Sequence, residues 1–279
     1  MLPSVAVPEL PEVETVRRSL LPHLEGRRVV GLEARRVRLR QGIEPDEWRA
    51  FEGVVVRTIQ RRGKYLAVTG DEVSAVLHLG MSGRLAVADP SRPHAAHTHL
   101  VVHLDSGREL RFVDPRRFGS AVVRPTRTLP LVPPFALLGA EPLDDAAGGV
   151  LRDAAGRTRV AIRNLQLDQT VLAGVGNIYA NEALARAGIH PGRPANRLSR
   201  RRLDRLAWAV RETLEDAIAA GGTTLEDGGF ANATGEAGNF AVDLAVYGRD
   251  DATCRRCGGV IRRVVLTGRS AYFCPHCQH

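Results

Sequence analysis

Apolar positions change rhythm several times along the chain, and each rhythm predicts a different element. Val13, Val16, Leu20 and Leu24 recur at spacings of three, four and four, with Gly26 just beyond. That is one apolar stripe on a helix of about four turns. From Arg27 to Arg124 the texture turns to short apolar or alternating runs, "VVVRTI", "KYLAV", "AVLHLG", "LVVHL" and "SAVVR". Turn signals such as Arg62-Gly63 and Asp105-Ser106-Gly107 separate them, so this part reads as a β-sandwich or flattened barrel behind a helix. Pro125, Pro130, Pro133, Pro134 and Pro142 then interrupt any period and predict an inter-domain linker. Beyond it, "AIRNLQLDQ" and "NIYANEALARAG" predict two short helices joined by "TVLAGVG". Ser199 is a good N-cap for a longer helix that places Leu203, Leu206, Val210, Leu214 and Ile218 on one face and ends at Gly221-Gly222. Residues 223–246 combine weak periodicity with many glycines and are expected to form a mobile loop.

Composition narrows the class. The 279 residues suffice for two ordinary domains. No apolar run approaches the roughly 20 residues needed to span a bilayer, and the first residues lack a secretory pattern, so a cytoplasmic protein is expected. A net charge of +8 suggests a polyanionic partner. Of the 39 basic residues, 38 are Arg and the only Lys is Lys64. Arg carries a planar fork and Lys a compact point charge, so a lone Lys marks a place where the amine itself is needed.

All four cysteines lie near the C-terminus, as Cys254-x2-Cys257 and Cys274-x2-Cys277 with sixteen residues between the pairs. This is zinc-ribbon spacing, with paired thiolates presented across a β-hairpin. Four ligands leave no open position, so one structural Zn2+ is expected. Arg262, Arg263 and Arg269 sit between the pairs, where a rigid hairpin could hold them against phosphates.

Eight motifs in register, "PELPEVE", "GKYL", "HLGMSG", "DPRRFG", "LDQ…AGVGNIYANEAL", "GGTTL", "VYGR" and the final CxxC…FCPHCQ, span residues 8–279. Together they closely resemble the bacterial formamidopyrimidine-DNA glycosylase family. Leu10 fits that branch better than the sister endonuclease VIII branch. The resemblance implies an α+β multidomain chain: an N-terminal helix plus β-sandwich, a helix–two-turn–helix domain and a C-terminal β-hairpin zinc finger. The expected divisions are a lead at 1–7, the catalytic helix and sandwich at 8–124, a linker at 125–149, the helical domain with its lesion loop at 150–246, and the finger at 247–279. The implied partner is duplex DNA containing oxidised bases. The implied activity is excision of oxidised purines, then nicking of the abasic strand. A monomer is expected, in the cytoplasm and associated with the nucleoid.

The same resemblance assigns roles. Pro8 would attack the sugar through its α-amine as in Schiff-base catalysis, with Glu9 as proton shuttle and Glu12 holding sugar or amine. Lys64, Asn177 and Arg269 would grip phosphates, Asn177 together with backbone amides at a helix start. Met81, Arg116 and Phe118 correspond to the set that fills the helix when the target base leaves it. Arg159 and Arg163 stand where the family often has lysines, and Asn239 where an aromatic is more usual. The role of Pro8 requires a free amine there, so the working start is expected at the codon for Val7, read as an initiator methionine and trimmed. If Pro8 is not the mature N-terminus, the alternative is a non-catalytic damaged-DNA-binding protein. A nearer alternative is an endonuclease VIII-like glycosylase for oxidised pyrimidines.

Overall fold

The computed structural model describes residues 7–34, 39–41, 43–224, 232–235, 238 and 244–279. Residues 1–6 of the expected lead at 1–7, Asn239 and most of the expected loop at 223–246 therefore lie outside the described residues. The chain forms two compact units, one from 1–136 with 220–239, the other from 137–219 with 240–279. The described residues of 220–239, assigned from sequence to the helical domain, thus group with the first unit.

In the first unit, helix α1 (Leu10–Leu24) carries the predicted stripe, and Val13, Val16, Leu20 and Leu24 are all at most 1% exposed. Strand β1 (Val29–Ala34) and the short α2 (Pro45–Arg49) follow. Then come β2 (Thr58–Arg62), β3 (Tyr65–Thr69), β4 (Val73–His78), β5 (Arg84–Ala88), β6 (Thr98–Leu104), β7 (Glu109–Val113) and β8 (Ser120–Pro125). They pair into two four-stranded antiparallel sheets, ordered β1-β6-β7-β5 and β2-β3-β4-β8. One core joins Leu66 and Leu77 of the second sheet to Leu100, Leu110 and Phe112 of the first, with the α1 stripe and Trp48 of α2. Burying each such side chain stabilises by about 1.5–3 kcal/mol, which is why the apolar rhythm alone predicts a sandwich.

In the second unit, α3 (Ala147–Gly156), α4 (Ile162–Leu167), α5 (Asn177–Ala187) and α6 (Arg200–Ala219) precede the hairpin β9 (Arg262–Leu266) and β10 (Arg269–Phe273). The expected linker at 125–149 runs into α3, whose first residues are Ala147, Gly148 and Gly149. Glycines are poor helix formers, which hid this element. Tertiary contacts stabilise it: Leu151 and Ala155 are fully buried, and Arg152 pairs with Asp204 of α6.

The "LDQ" motif builds the turn between α4 and α5. Gln169 donates through Nε2 to the carbonyls of Leu167 (3.0 Å) and Val175 (2.9 Å) and accepts the Gly174 N–H at 2.8 Å. One side chain thereby satisfies three backbone groups and fixes where α5 begins.

Candidate active site and nucleic-acid contacts

Pro8 is buried, as are Glu9 and Glu12, each 2% exposed. Glu9 is the N-cap of α1 and forms a reciprocal capping box with Glu12, whose Oε2 accepts the Glu9 N–H at 2.9 Å. The other oxygen of Glu12 accepts the N–H of Thr223 at 2.8 Å. One carboxylate thus holds the start of α1 and the "GGTTL" segment together, two regions 211 residues apart in sequence. Further along α1, Ser19 Oγ accepts the Ala233 N–H at 3.1 Å. Glu14 lies beneath, bonded to Arg17 and Arg18 and paired with Arg61. Burial opposes its ionisation, but these guanidinium groups prevail and lower its pKa to about 2.

Lys64 occupies the second position of a two-residue hairpin turn between Arg62 and Tyr65. Gly63 takes φ +56, the conformation that a type II′ turn requires at its first position. The Lys64 charge lies near His78. Burial first, then Lys64 and Arg40, lower the His78 pKa to about 4. Its neutral ring accepts the Gly80 N–H through Nδ1 at 3.0 Å.

The structure brings Met81, Arg116 and Phe118 onto two loops that lock into each other. Asp114 is fully buried and accepts from Ser82 Oγ at 2.6 Å and from the Gly119 N–H at 2.8 Å. Ser82 Oγ in turn accepts the Arg116 N–H at 3.0 Å, and His99 Nε2 donates to the Asp114 carbonyl at 2.8 Å. A Cβ on Gly80 would stand 2.4 Å from the Phe118 carbonyl carbon, so no larger residue fits there. On this support Phe118 is 45% exposed, with the Arg116 guanidinium 5.2 Å from its ring centre. A large apolar ring thus stands in water on a rigid base.

In the second unit, Asn177 begins α5 and is half-buried. Its Oδ1 accepts from Arg163 Nη2 at 2.5 Å, and its Nδ2 donates to the Ser270 carbonyl at 3.1 Å. Arg163, expected from sequence to touch DNA, is 1% exposed. Its donors reach Asn164 Oδ1 and the carbonyls of Leu266 and Ser270 as well as Asn177. It ties α4, α5 and the hairpin together. Arg269 follows the two-residue turn Thr267-Gly268 and is exposed, next to the Ser270 whose carbonyl receives both Arg163 and Asn177. Asn177 and Arg269 are therefore neighbours on one support. The sulfur atoms of Cys254, Cys257, Cys274 and Cys277 lie within 4.8 Å of one another.

The formamidopyrimidine-DNA glycosylase N-terminal domain matches residues 7–121, the H2TH domain of the same enzymes matches 138–228, and the zinc finger found in FPG and IleRS matches 253–279. A formamidopyrimidine-DNA glycosylase of Stenotrophomonas maltophilia is 48% identical over 98% of this chain and 100% of that protein. The chain belongs to the formamidopyrimidine-DNA glycosylase family. The crystal structure of the MutM (Fpg) protein from Thermus thermophilus superposes with a TM-score of 0.86 at 38% identity, over 97% of this chain and 98% of that one. A Lactococcus lactis Fpg in complex with abasic-site DNA gives 0.86 at 33% identity, over 97% and 99%.

As a glycosylase of this family the chain is an enzyme with one structural zinc. The sulfur cluster fits that ion: tetrahedral Zn–S bonds of about 2.3 Å place sulfurs about 3.8 Å apart, and Cys257 and Cys274 are at 3.5 Å. The first knuckle is closed by Gly258 N–H to the Cys254 carbonyl at 2.9 Å, the second by Gln278 N–H to the Cys274 carbonyl at 3.0 Å. Gln278 also donates to the Ile189 carbonyl at 2.9 Å, anchoring the finger beyond the end of α5.

Sequence reasoning did not single out Asp114, Ser82, Thr223, Gln169 or Glu182. Glu182 is a buried carboxylate that accepts the N–H groups of Ala245, Val246 and Tyr247 and so fixes the "VYGR" segment to α5. Burial raises its pKa against those three bonds. All five lie in quoted motifs, and the buried Asp114 and Glu182 are acids with no aqueous reason to be inside. Only the fold reveals that they position other residues.

Proposed function

We propose that this chain is a bifunctional DNA glycosylase/lyase that removes oxidised purines, 8-oxoguanine and formamidopyrimidines, from duplex DNA. The secondary amine of Pro8 attacks C1′ of the damaged nucleotide and the base leaves with the bonding electrons. The iminium so formed is an electron sink that acidifies the neighbouring sugar proton, so β-elimination and then δ-elimination break the strand on both sides. Glu9 passes a proton to the ring oxygen as the sugar opens. Lys64, Asn177 and Arg269 hold phosphates, and Met81, Arg116 and Phe118 occupy the space left by the everted base. Filling that space offsets an unstacking cost of a few kcal/mol. The enzyme acts as a cytoplasmic monomer on the nucleoid; among the described residues no helix is long and apolar enough to cross a membrane.

The observation that carries this reading is the buried Pro8–Glu9 pair at the head of α1, with Glu12 linking it to Thr223. A water-poor site at a helix N-terminus suits an amine nucleophile and its acid. The chemistry requires Pro8 to be the mature N-terminus, and the family match begins one residue earlier, at Val7. The test is borohydride trapping on duplexes carrying 8-oxoguanine or an oxidised pyrimidine, with protein beginning at Met1 and at Pro8. A covalent adduct to the purine lesion from the Pro8 protein is expected. Binding without an adduct would replace this reading with the non-catalytic one.

A further inference from the structure

One strongly cationic stretch of the second unit has no part in that reading. Between Arg193 and Leu206 lie six arginines and one acid, Asp204, and that acid is paired with Arg152. The first half of α6 presents Arg201, Arg205 and Trp208 at i, i+4 and i+7, on the face opposite the buried Leu203, Leu206, Val210 and Leu214. Arg201 and Arg205 are exposed, and Trp208, one turn beyond Arg205, is 55% exposed. Arg205 also lines a cavity of about 350 Å³ together with Arg186, Arg202 and Arg256. Arg202 is fixed there by donating to the carbonyls of Gly188 (3.2 Å) and His279 (2.5 Å). Burial and the charges of Arg193 and Arg205 lower its pKa, so the cations crowd one another. An anion in the cavity would relieve that repulsion. Asn177 opens α5, whereas the cavity lies at Gly188, the other end of that 11-residue helix, about 16 Å away along its axis.

We propose that the arginine-lined cavity and the Arg201–Arg205–Trp208 face form a second nucleic-acid site, one that takes single-stranded DNA. The cavity receives a phosphate, and Trp208 stacks on an unpaired base beside it. Charge complementarity selects the polyanion. The exposed indole selects a single strand, because a base inside a duplex has no free face to offer.

The chain provides its own probe, since its two tryptophans differ completely: Trp48 is 1% exposed and Trp208 55%. Full-length protein is titrated with an undamaged oligothymidylate while its tryptophan emission is followed. Saturable quenching is expected, absent in Trp208→Phe. In Arg201→Gln/Arg205→Gln the affinity should fall at least tenfold, with the slope of log K against log salt smaller by about 1.4, or 0.7 for each phosphate no longer neutralised. Excision from a short lesion duplex should stay within twofold of wild type in both variants, whether or not Pro8 is the nucleophile. Equal quenching in Trp208→Phe, or equal quenching by a fully paired duplex, would overturn the stacking site. Stoichiometric displacement of the oligothymidylate by a short lesion duplex would show a single shared site and also overturn it.

Discussion

Arg163 Nη2 donates to Asn177 Oδ1 at 2.5 Å from a position only 1% exposed. Guanidinium is donor-only, so this bond forces the amide oxygen inward and the Asn177 NH2 toward the Ser270 carbonyl and outward. If Asn177 grips a phosphate, Arg163 sets the grip without touching it. Arg163→Lys keeps the charge but loses the fork, and charge-assisted bonds of about 1.5–3 kcal/mol are at stake. Lesion-duplex affinity should fall roughly 10–100-fold. The salt slope of binding should stay unchanged, whereas removing a group that neutralises a phosphate directly would lower it by about 0.9. Fluorescence anisotropy over a salt series distinguishes the two, and a lower slope would mean that Arg163 touches the DNA after all.

Asp114 supports the loop that carries Phe118. In Asp114→Asn one carboxylate oxygen becomes an NH2 that must face either the Ser82 hydroxyl or the Gly119 N–H. Facing Gly119 it sets donor against donor, and facing Ser82 it reverses that bond and leaves the hydroxyl proton without its acceptor; either loss costs about 1–3 kcal/mol. Excision from duplex DNA should drop at least tenfold, because the wedge is no longer held. Cleavage of a single-stranded oligonucleotide that already contains an abasic site needs no base eversion and should remain within about twofold. Equal loss in both assays would mean that the loop serves the chemistry rather than the opening of the duplex.

Periodicity revealed the elements that bury a face. The α1 stripe, the α6 stripe and most strands follow from apolar spacing, because burial of that spacing is what stabilises them. Elements held by other means were hidden. Helix α2 is five residues long and depends on Trp48, and α3 opens Ala-Gly-Gly and depends on tertiary contacts. The zinc cysteines were legible because tetrahedral coordination dictates their spacing. Pro8, Phe118 and Met81 carry no spacing signal of their own and were named through the family motifs. The burial of Arg163 was hidden for a physical reason: a sequence shows a cation but not which way it faces, and here its donors meet carbonyls inside the protein.

Glu14 predicts an acid limit. Its folded pKa is lowered from 4.5 to about 2 by Arg17, Arg18 and Arg61, against burial. A depressed carboxylate pKa gives stability that is present above about 4.5 and lost as pH falls toward 2. Replacing Glu14 with Gln should therefore destabilise the protein near neutral pH, by an amount on the order of 1–3 kcal/mol for charge-assisted bonds. The difference from wild type should narrow steadily between pH 4.5 and 2. Thermal melts across that window check the sign, and a gap that widened on acidification would refute the network.

Removal of the metal should disable the phosphate clamp proposed for Asn177 and Arg269 while sparing the sandwich. Cys274 directly follows β10, and Arg269 opens that strand. The hairpin is held by Arg163 and Asn164 at one end and by the sulfur cluster at the other. Structural zinc contributes folding free energy directly, so without it the hairpin keeps only its contacts to α4 and α5. Metal analysis should find one zinc per chain, and Cys257→Ser should lower that occupancy. Chelation should weaken lesion-duplex binding at least tenfold, with a smaller salt slope as the contact proposed for Arg269 is lost. The cooperative melting of the first unit should persist, because among the described residues its main core draws on Val13 to Val123 and Ala233, none of them in the finger. Zinc-free protein that bound DNA with unchanged affinity and salt slope would show that the finger plays no part in the clamp.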